Sequence, residues 1–295
     1  MGILFGLLSA IFWGAGDYLI AQLTRHTGTV RALLSIQFFS LVAWIGCLLV
    51  SQQHFSTNPN FWGLAVMAGV CHVVGLLLTY RAFEIGTLSL VSPIASGFAI
   101  VTALIALANG ERPPLLALAG TGLLILGVVC ATYTHNAEEK KSLVGVPEAL
   151  GSALAFGIMF WLFDRVQIHL GVLWPLVVLK SMAFLSALIS VLASKKRGDS
   201  TKNEGETERT QPEPLNSSPG QLLALALGAA ALDTLAWLAY NAGVRTQFVA
   251  VVTALASLFS VVTLLMAWVL LKDRLSRNQW TGIALILAGI LMVSL

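Results

Sequence analysis

The run ALLSIQFFSLVAWIGCLLVSQQHFSTNPNFWGLAVMAGVCHVVGLLLTY, residues 32–80, contains no Asp, Glu, Lys or Arg. A helix that crosses a bilayer takes roughly 20 apolar residues at about 1.5 Å each. The run therefore holds two such helices and a turn. Asn58-Pro59 marks where the second begins, an N-cap residue followed by Pro at the first helical position.

The rest of the chain repeats this pattern. Of its 295 residues 57% are apolar and 11% charged, and the mean hydropathy is +0.84. An ordinary soluble domain carries about a quarter charged residues, so a soluble enzyme, a nucleic-acid binder and a disordered protein are excluded. The net charge of +3 is small, and the bases lie between apolar blocks rather than in a patch. Cys47, Cys71 and Cys130 sit singly inside apolar runs and make neither a disulfide framework nor a metal spacing. The first apolar run starts at Gly2 with no basic segment before it and reads as a retained span.

Taken in order, the apolar runs predict spans near 2–23, 31–51, 60–80, 87–109, 115–134, 145–165, 171–194, 219–242, 248–271 and 278–295. Ser218-Pro219 with Gln221, and Ser276 with Gln279, carry capping-box chemistry ahead of the eighth and tenth. The fold class is thus an all-α integral membrane protein with ten transmembrane helices, multi-pass in the cell membrane, with the lipid bilayer as its solvent. Lys195 to Pro219 stands apart: five acids, five bases and three Pro make it a polar linker. Lys and Arg set orientation. Thirteen of them fall in the loops after odd-numbered spans, against Arg112, Arg165 and Arg245 on the other side. That bias places the odd loops in the cytoplasm and both termini outside.

The chain also repeats itself. A shift of 143 lays Ser9, Ala10, Gly14, His26 and Gly28 on Ser152, Ala153, Gly157, His169 and Gly171, and Gln37 on Lys180. A shift of 160 lays Tyr80 on Tyr240, and one of 162 lays Arg112, Gly120, Leu123 and Gly127 on Arg274, Gly282, Leu285 and Gly289. Each half holds five spans, an odd number, so the second copy enters the membrane the opposite way up. Inverted repeats of this kind are a mark of secondary transporters, with the site at the interface of the copies.

Each half ends in an acid–Arg turn and a Gly-studded span, GERPPLLALAGTGLLILGVV and KDRLSRNQWTGIALILAGILMV. With WGAGDYL in span 1 and YRAFEIGTLSLVSPIASG across spans 3 and 4, the chain resembles EamA-type members of the drug/metabolite transporter superfamily. The resemblance covers everything outside the polar linker. It implies a first five-helix repeat at 1–134, a short loop at 135–144, and a second repeat at 145–295 interrupted at 195–219. It further implies ten helices around a central cavity, export of amino acids, small metabolites or drugs, and both termini inside.

A charge at mid-membrane costs at least about 2.5–3.5 kcal/mol and therefore faces a cavity or a partner. Lys180 is central in span 7, Asp233 in span 8 and His72 in span 3, while Asp17 lies nearer one end of span 1. Asp233, Trp237 and Tyr240 recur at i, i+4 and i+7 on one helical face, and Ser9, Trp13 and Asp17 share another. Lys180, Asp233, Trp237, Tyr240, His72, Trp13 and Asp17 are the candidate substrate-binding residues. The plainer readings are that Lys180 and Asp233 lock their spans together, that Asp17 holds Arg25, a lysine or a backbone end near the interface, and that His72 is a packing residue. Ser89, Ser92 and Ser96, and Thr253, Ser257 and Ser260, also share faces, and Pro93 frees the Ser89 carbonyl. These faces read as packing, and Glu111 and Asp273 as turn chemistry.

The expected function is a secondary transporter, an exporter of a small-molecule substrate, working by alternating access. No nucleotide-binding motif is present, and no cofactor is expected; proton coupling and a homodimer stay open. The alternative from another class is an intramembrane enzyme acting on a lipid or small molecule, which lacks any HExxH, GxSxG or paired ligand motif here.

Overall fold

The computed structural model describes residues 2–53, 55, 58–110, 115–132, 143–200, 218–245, 249–270 and 277–294, at some of them the backbone alone. In chain order the helices are α1 (Gly2–Thr27), α2 (Thr29–Ser51), α3 (Pro59–Ile85), α4 (Leu88–Ala95), α5 (Phe98–Ala108) and α6 (Leu115–Thr132). They continue with α7 (Val146–Leu170), α8 (Leu173–Ser200), α9 (Pro219–Val244), α10 (Val249–Ala256), α11 (Phe259–Leu270) and α12 (Arg277–Ser294). The protein is an all-helical, multi-pass integral membrane protein. Six of the described helices are long and apolar enough to span a membrane: α1, α2, α3, α7, α8 up to Ser194, and α9. Large apolar side chains such as Leu49, Val50, Ile168, Ile189 and Leu192 point outward, as lipid contact requires.

The helix starts follow the local chemistry. Asn58 Oδ1 accepts from the Asn60 amide at 3.1 Å ahead of α3. At α9 the Ser218 hydroxyl accepts from the Gln221 amide at 3.3 Å while Gln221 Oε1 accepts from the Ser218 amide at 3.1 Å. The cap proposed at Ser276 lies outside the described residues, as do the turns at Glu111–Arg112 and Asp273–Arg274.

Three expectations are corrected. The fourth and ninth spans are each two helices, α4 with α5 and α10 with α11. The linker does not begin at Lys195, because α8 continues to Ser200. Likewise α1 and α3 end four and five residues beyond the predicted limits, at Thr27 and Ile85, for the turns that follow use a few residues only.

The two halves pack alike. α1 lies on α9 and α3 on α7; α2 pairs with α8 and α6 with α12; α1 also meets α10 and α11, while α7 meets α4 and α5. Exchanging the halves maps this set of neighbours onto itself. The turns agree as well. Gly28 (φ +80) joins α1 to α2 and Gly171 (φ +70) follows α7, both in a backbone region that a side chain resists.

The breaks in the two split spans are equivalent in detail. The Gly97 amide donates to Ile94 O at 3.0 Å and the Leu258 amide to Leu255 O at 3.1 Å, each a tight three-residue turn. Beyond it, Ile100 and Val261 donate back to Gly97 O and Leu258 O at 3.0 and 2.9 Å. Glycines on α1 and α7 seat these joints. A Cβ on Gly14 would stand 2.6 Å from Phe259 O, and one on Gly157 would stand 2.9 Å from Phe98 O. Thr263 Oγ1 donates within reach of Gly14 O (3.2 Å), and Thr102 Oγ1 within reach of Gly157 O (3.0 Å). The same clamp is built twice.

Candidate functional site

The close approach of α1 and α7 to the joints brings polar positions of several helices to one place. Trp13 and Asp17 on α1, His72 and Tyr80 on α3, and Asp233 and Trp237 on α9 line a cavity of about 90 Å³. One water needs about 10–15 Å³, so the space holds several waters or part of a small solute. Phe98 from α5, Phe156 and Phe160 from α7, and Phe259 from α11 complete the wall.

Lys180 on α8 has no exposed surface at all, and its Nζ donates to Asp233 Oδ2 at 2.6 Å. Ser40 on α2 donates to the same oxygen at 3.2 Å. The Asp233 side chain keeps 18% of its surface open and lines the cavity, whereas Lys180 stands behind it. The pair therefore ties α8 to α9, and its acid also faces the central space. Charge-assisted contacts of this length are among the stronger hydrogen bonds.

Asp17 differs. Among the described residues no cation pairs with it. Its nearest donor is Thr263 Oγ1 at 3.5 Å from Oδ2, and that hydroxyl lies closer to Phe259 O (2.9 Å) and Gly14 O (3.2 Å). One hydroxyl has one proton to give. Arg25, the partner open to Asp17 from sequence, instead points its guanidinium at the carbonyls of Phe83 and Gly86, at 3.3 and 3.4 Å, and closes the end of α3. His72 is 2% exposed, and neither ring nitrogen has a hydrogen-bond partner among the described residues.

The aromatic wall is continuous. Trp13 meets Trp237 edge-on at 5.4 Å, Phe160 stacks on Trp237 at 5.6 Å, and Phe98 stacks on Phe160 at 4.8 Å. Tyr240 is not part of the cavity lining. It packs 5.8 Å from both Trp13 and Trp237, and its hydroxyl meets Thr253 Oγ1 at 2.8 Å. Ser96 and Ser260 bond carbonyls of their own chain segments, Pro93 O at 2.6 Å and Ser257 O at 3.3 Å. The side chain of Ser89 lies outside the described residues.

Sequence reasoning missed Tyr80, Ser40 and the four phenylalanines. A Ser or Phe in a membrane helix looks the same whether it faces lipid, a neighbour or a cavity. The signal for Phe98 and Phe259 was the matched Ala-Ser-x-Phe at 95–98 and 256–259, where both joints fall. Among the described residues no three His, Cys, Asp or Glu side chains gather as a metal site.

A multi-pass helical protein whose charged cavity lies between two equivalent halves has the build of a membrane transporter. The chain belongs to the EamA-like transporter family, which it matches over residues 1–133 and 143–295. The family is one of transporters, not enzymes, which removes the intramembrane-enzyme alternative. An uncharacterized protein of Methanocaldococcus jannaschii is 29% identical over 134 residues, 97% of its own length but 45% of this chain. That relative is one half long. A solved crystal structure covers 99% of this chain, and 97% of its own chain, at TM-score 0.66 and 16% identity, a likeness of fold alone.

Proposed function

We propose that the chain is a secondary transporter with ten spans arranged as two inverted five-helix repeats, 1–134 and 145–295, joined by the loop 135–144. It exports a small amphipathic solute, an amino acid or a drug-like molecule, by alternating access around the central cavity. Trp13, Asp17, His72, Asp233 and Trp237 contact the solute; Lys180 and Tyr240 hold Asp233 and the tryptophans in place. The observation that carries this reading is the cavity itself, bounded by helices of both halves and by two joints with one hydrogen-bond pattern. Rocking the halves about such joints exposes the cavity first to one side and then to the other. One further fact supports it: a relative only one half long.

The test is export from cells. Media of cells expressing the parent, Asp233→Asn or Asp17→Asn at equal membrane abundance are compared for metabolites and for added dyes and drugs. A compound exported by the parent and retained by both variants supports the reading. A parent that matches the empty control for every compound, in efflux and in uptake, overturns it.

A further inference from the structure

The cavity wall carries charge of one sign. Asp17 and Asp233 face the space, Asp233 is already neutralised by Lys180, and among the described cavity-lining residues there is no Lys or Arg. Lys180 cannot serve a substrate carboxylate, since it is wholly buried and its ammonium is committed to Asp233. What remains is one carboxylate without a cation, beside Trp13 on the same helix and ringed by Trp237, Phe160, Phe98 and Phe259. Phe98, Phe160 and Trp237 stack on one another and so offer an apolar wall, and an aromatic face left open beside them attracts a cation most strongly where water is excluded. An anion meets the unpaired Asp17 with no compensating charge. A neutral solute gains from Asp17 a hydrogen bond at most.

We infer that the solute taken into this cavity is an organic monocation, an amine or quaternary ammonium with an apolar body, anchored by Asp17 and the Trp13–Trp237–Phe160 ring cluster. The inference rests on the transport reading for its biological use but concerns binding alone. Asp17 supplies the counter-charge, the rings enclose the apolar part, and the unpartnered nitrogens of His72 serve a polar substituent where one is present.

The experiment is equilibrium binding to the purified full chain in detergent. The probes are benzyltrimethylammonium, its uncharged isostere neopentylbenzene, zwitterionic phenylalanine and anionic 3-phenylpropionate. Benzyltrimethylammonium is expected to bind saturably, one per chain, and at least about tenfold tighter than the other three. Asp17→Asn is expected to weaken it at least about tenfold, and Asp17→Glu to retain most of the affinity. Trp268→Leu, a half-exposed position outside the cavity, should change nothing. If Asp17→Asn does not run as a single species on a sizing column, Trp13→Leu is read instead; it should weaken the cation severalfold more than the isostere. Tighter binding of phenylalanine or phenylpropionate overturns the inference, and so does equal cation affinity in the parent and the Asp17→Asn or Trp13→Leu variant. Flux in proteoliposomes separates this outcome from that of the transport reading. Phenylalanine flux without cation binding sinks the cation and keeps transport; cation binding with no flux of any probe does the reverse.

Discussion

The Lys180–Asp233 pair is held where a single charge would be hardest to keep. Breaking a buried pair costs about 3–5 kcal/mol, because the partner is left uncompensated, whereas replacing both members by apolar residues is often neutral. Lys180→Met is therefore expected to destabilise the protein by about 3 kcal/mol. Lys180→Met with Asp233→Leu should restore most of that loss. Denaturant unfolding in mixed micelles reads both, and strictly additive losses would show that the pair is not coupled. The two charges were legible in the sequence because nothing else in their spans competes with them. Their contact was not, since it depends on α8 lying beside α9 and on Ser40 arriving from α2. His72 and Asp17 were visible in the same way, yet that both lack strong partners emerges only from the packed helices.

At the level of helices, the matched glycines carry the argument. Gly14 and Gly157 admit a backbone carbonyl of the neighbouring joint where a methyl would collide. Overpacking of this kind costs about 1–3 kcal/mol. Gly14→Ala and Gly157→Ala should each lower stability by about that amount and slow transport. Gly46→Ala, whose added methyl meets nothing within 4 Å, should be neutral or mildly stabilising, as Ala favours a helix by about 1 kcal/mol. Thermal unfolding of the three variants separates a true clamp from a chance approach. The pairing of Gly14 with Gly157 was readable as a shift of 143. Neither joint was read as a break, since both spans are apolar throughout, and the second half lacks even a counterpart of Pro93 and Gly97. Its tight turn is imposed by Thr263 and by the seat at Gly14.

For the molecule as a whole, the balance of Lys and Arg predicts the odd loops in the cytoplasm and both ends outside. Single cysteines placed near residue 2 and near residue 205, in a background without the three native ones, test this with a membrane-impermeant maleimide on intact cells. Labelling at the first and not at the second agrees with the charge bias; the opposite pattern agrees with the orientation implied by the family resemblance. The joints have a further consequence, which concerns order of motion. They share a hydrogen-bond pattern but not covalent freedom. The first contains a proline that gives no amide and a glycine with wide backbone latitude, while Leu258 occupies the glycine's place in the second. Amides at 94–101 should therefore exchange with deuterium faster than those at 255–262, which native-state exchange would reveal. In the proposed cycle the joints are two doors with one design and unequal springs, which do not open at the same pace. There a gradient sets which way net cargo flows, and the stiffer spring sets which half of the cycle keeps the cargo waiting.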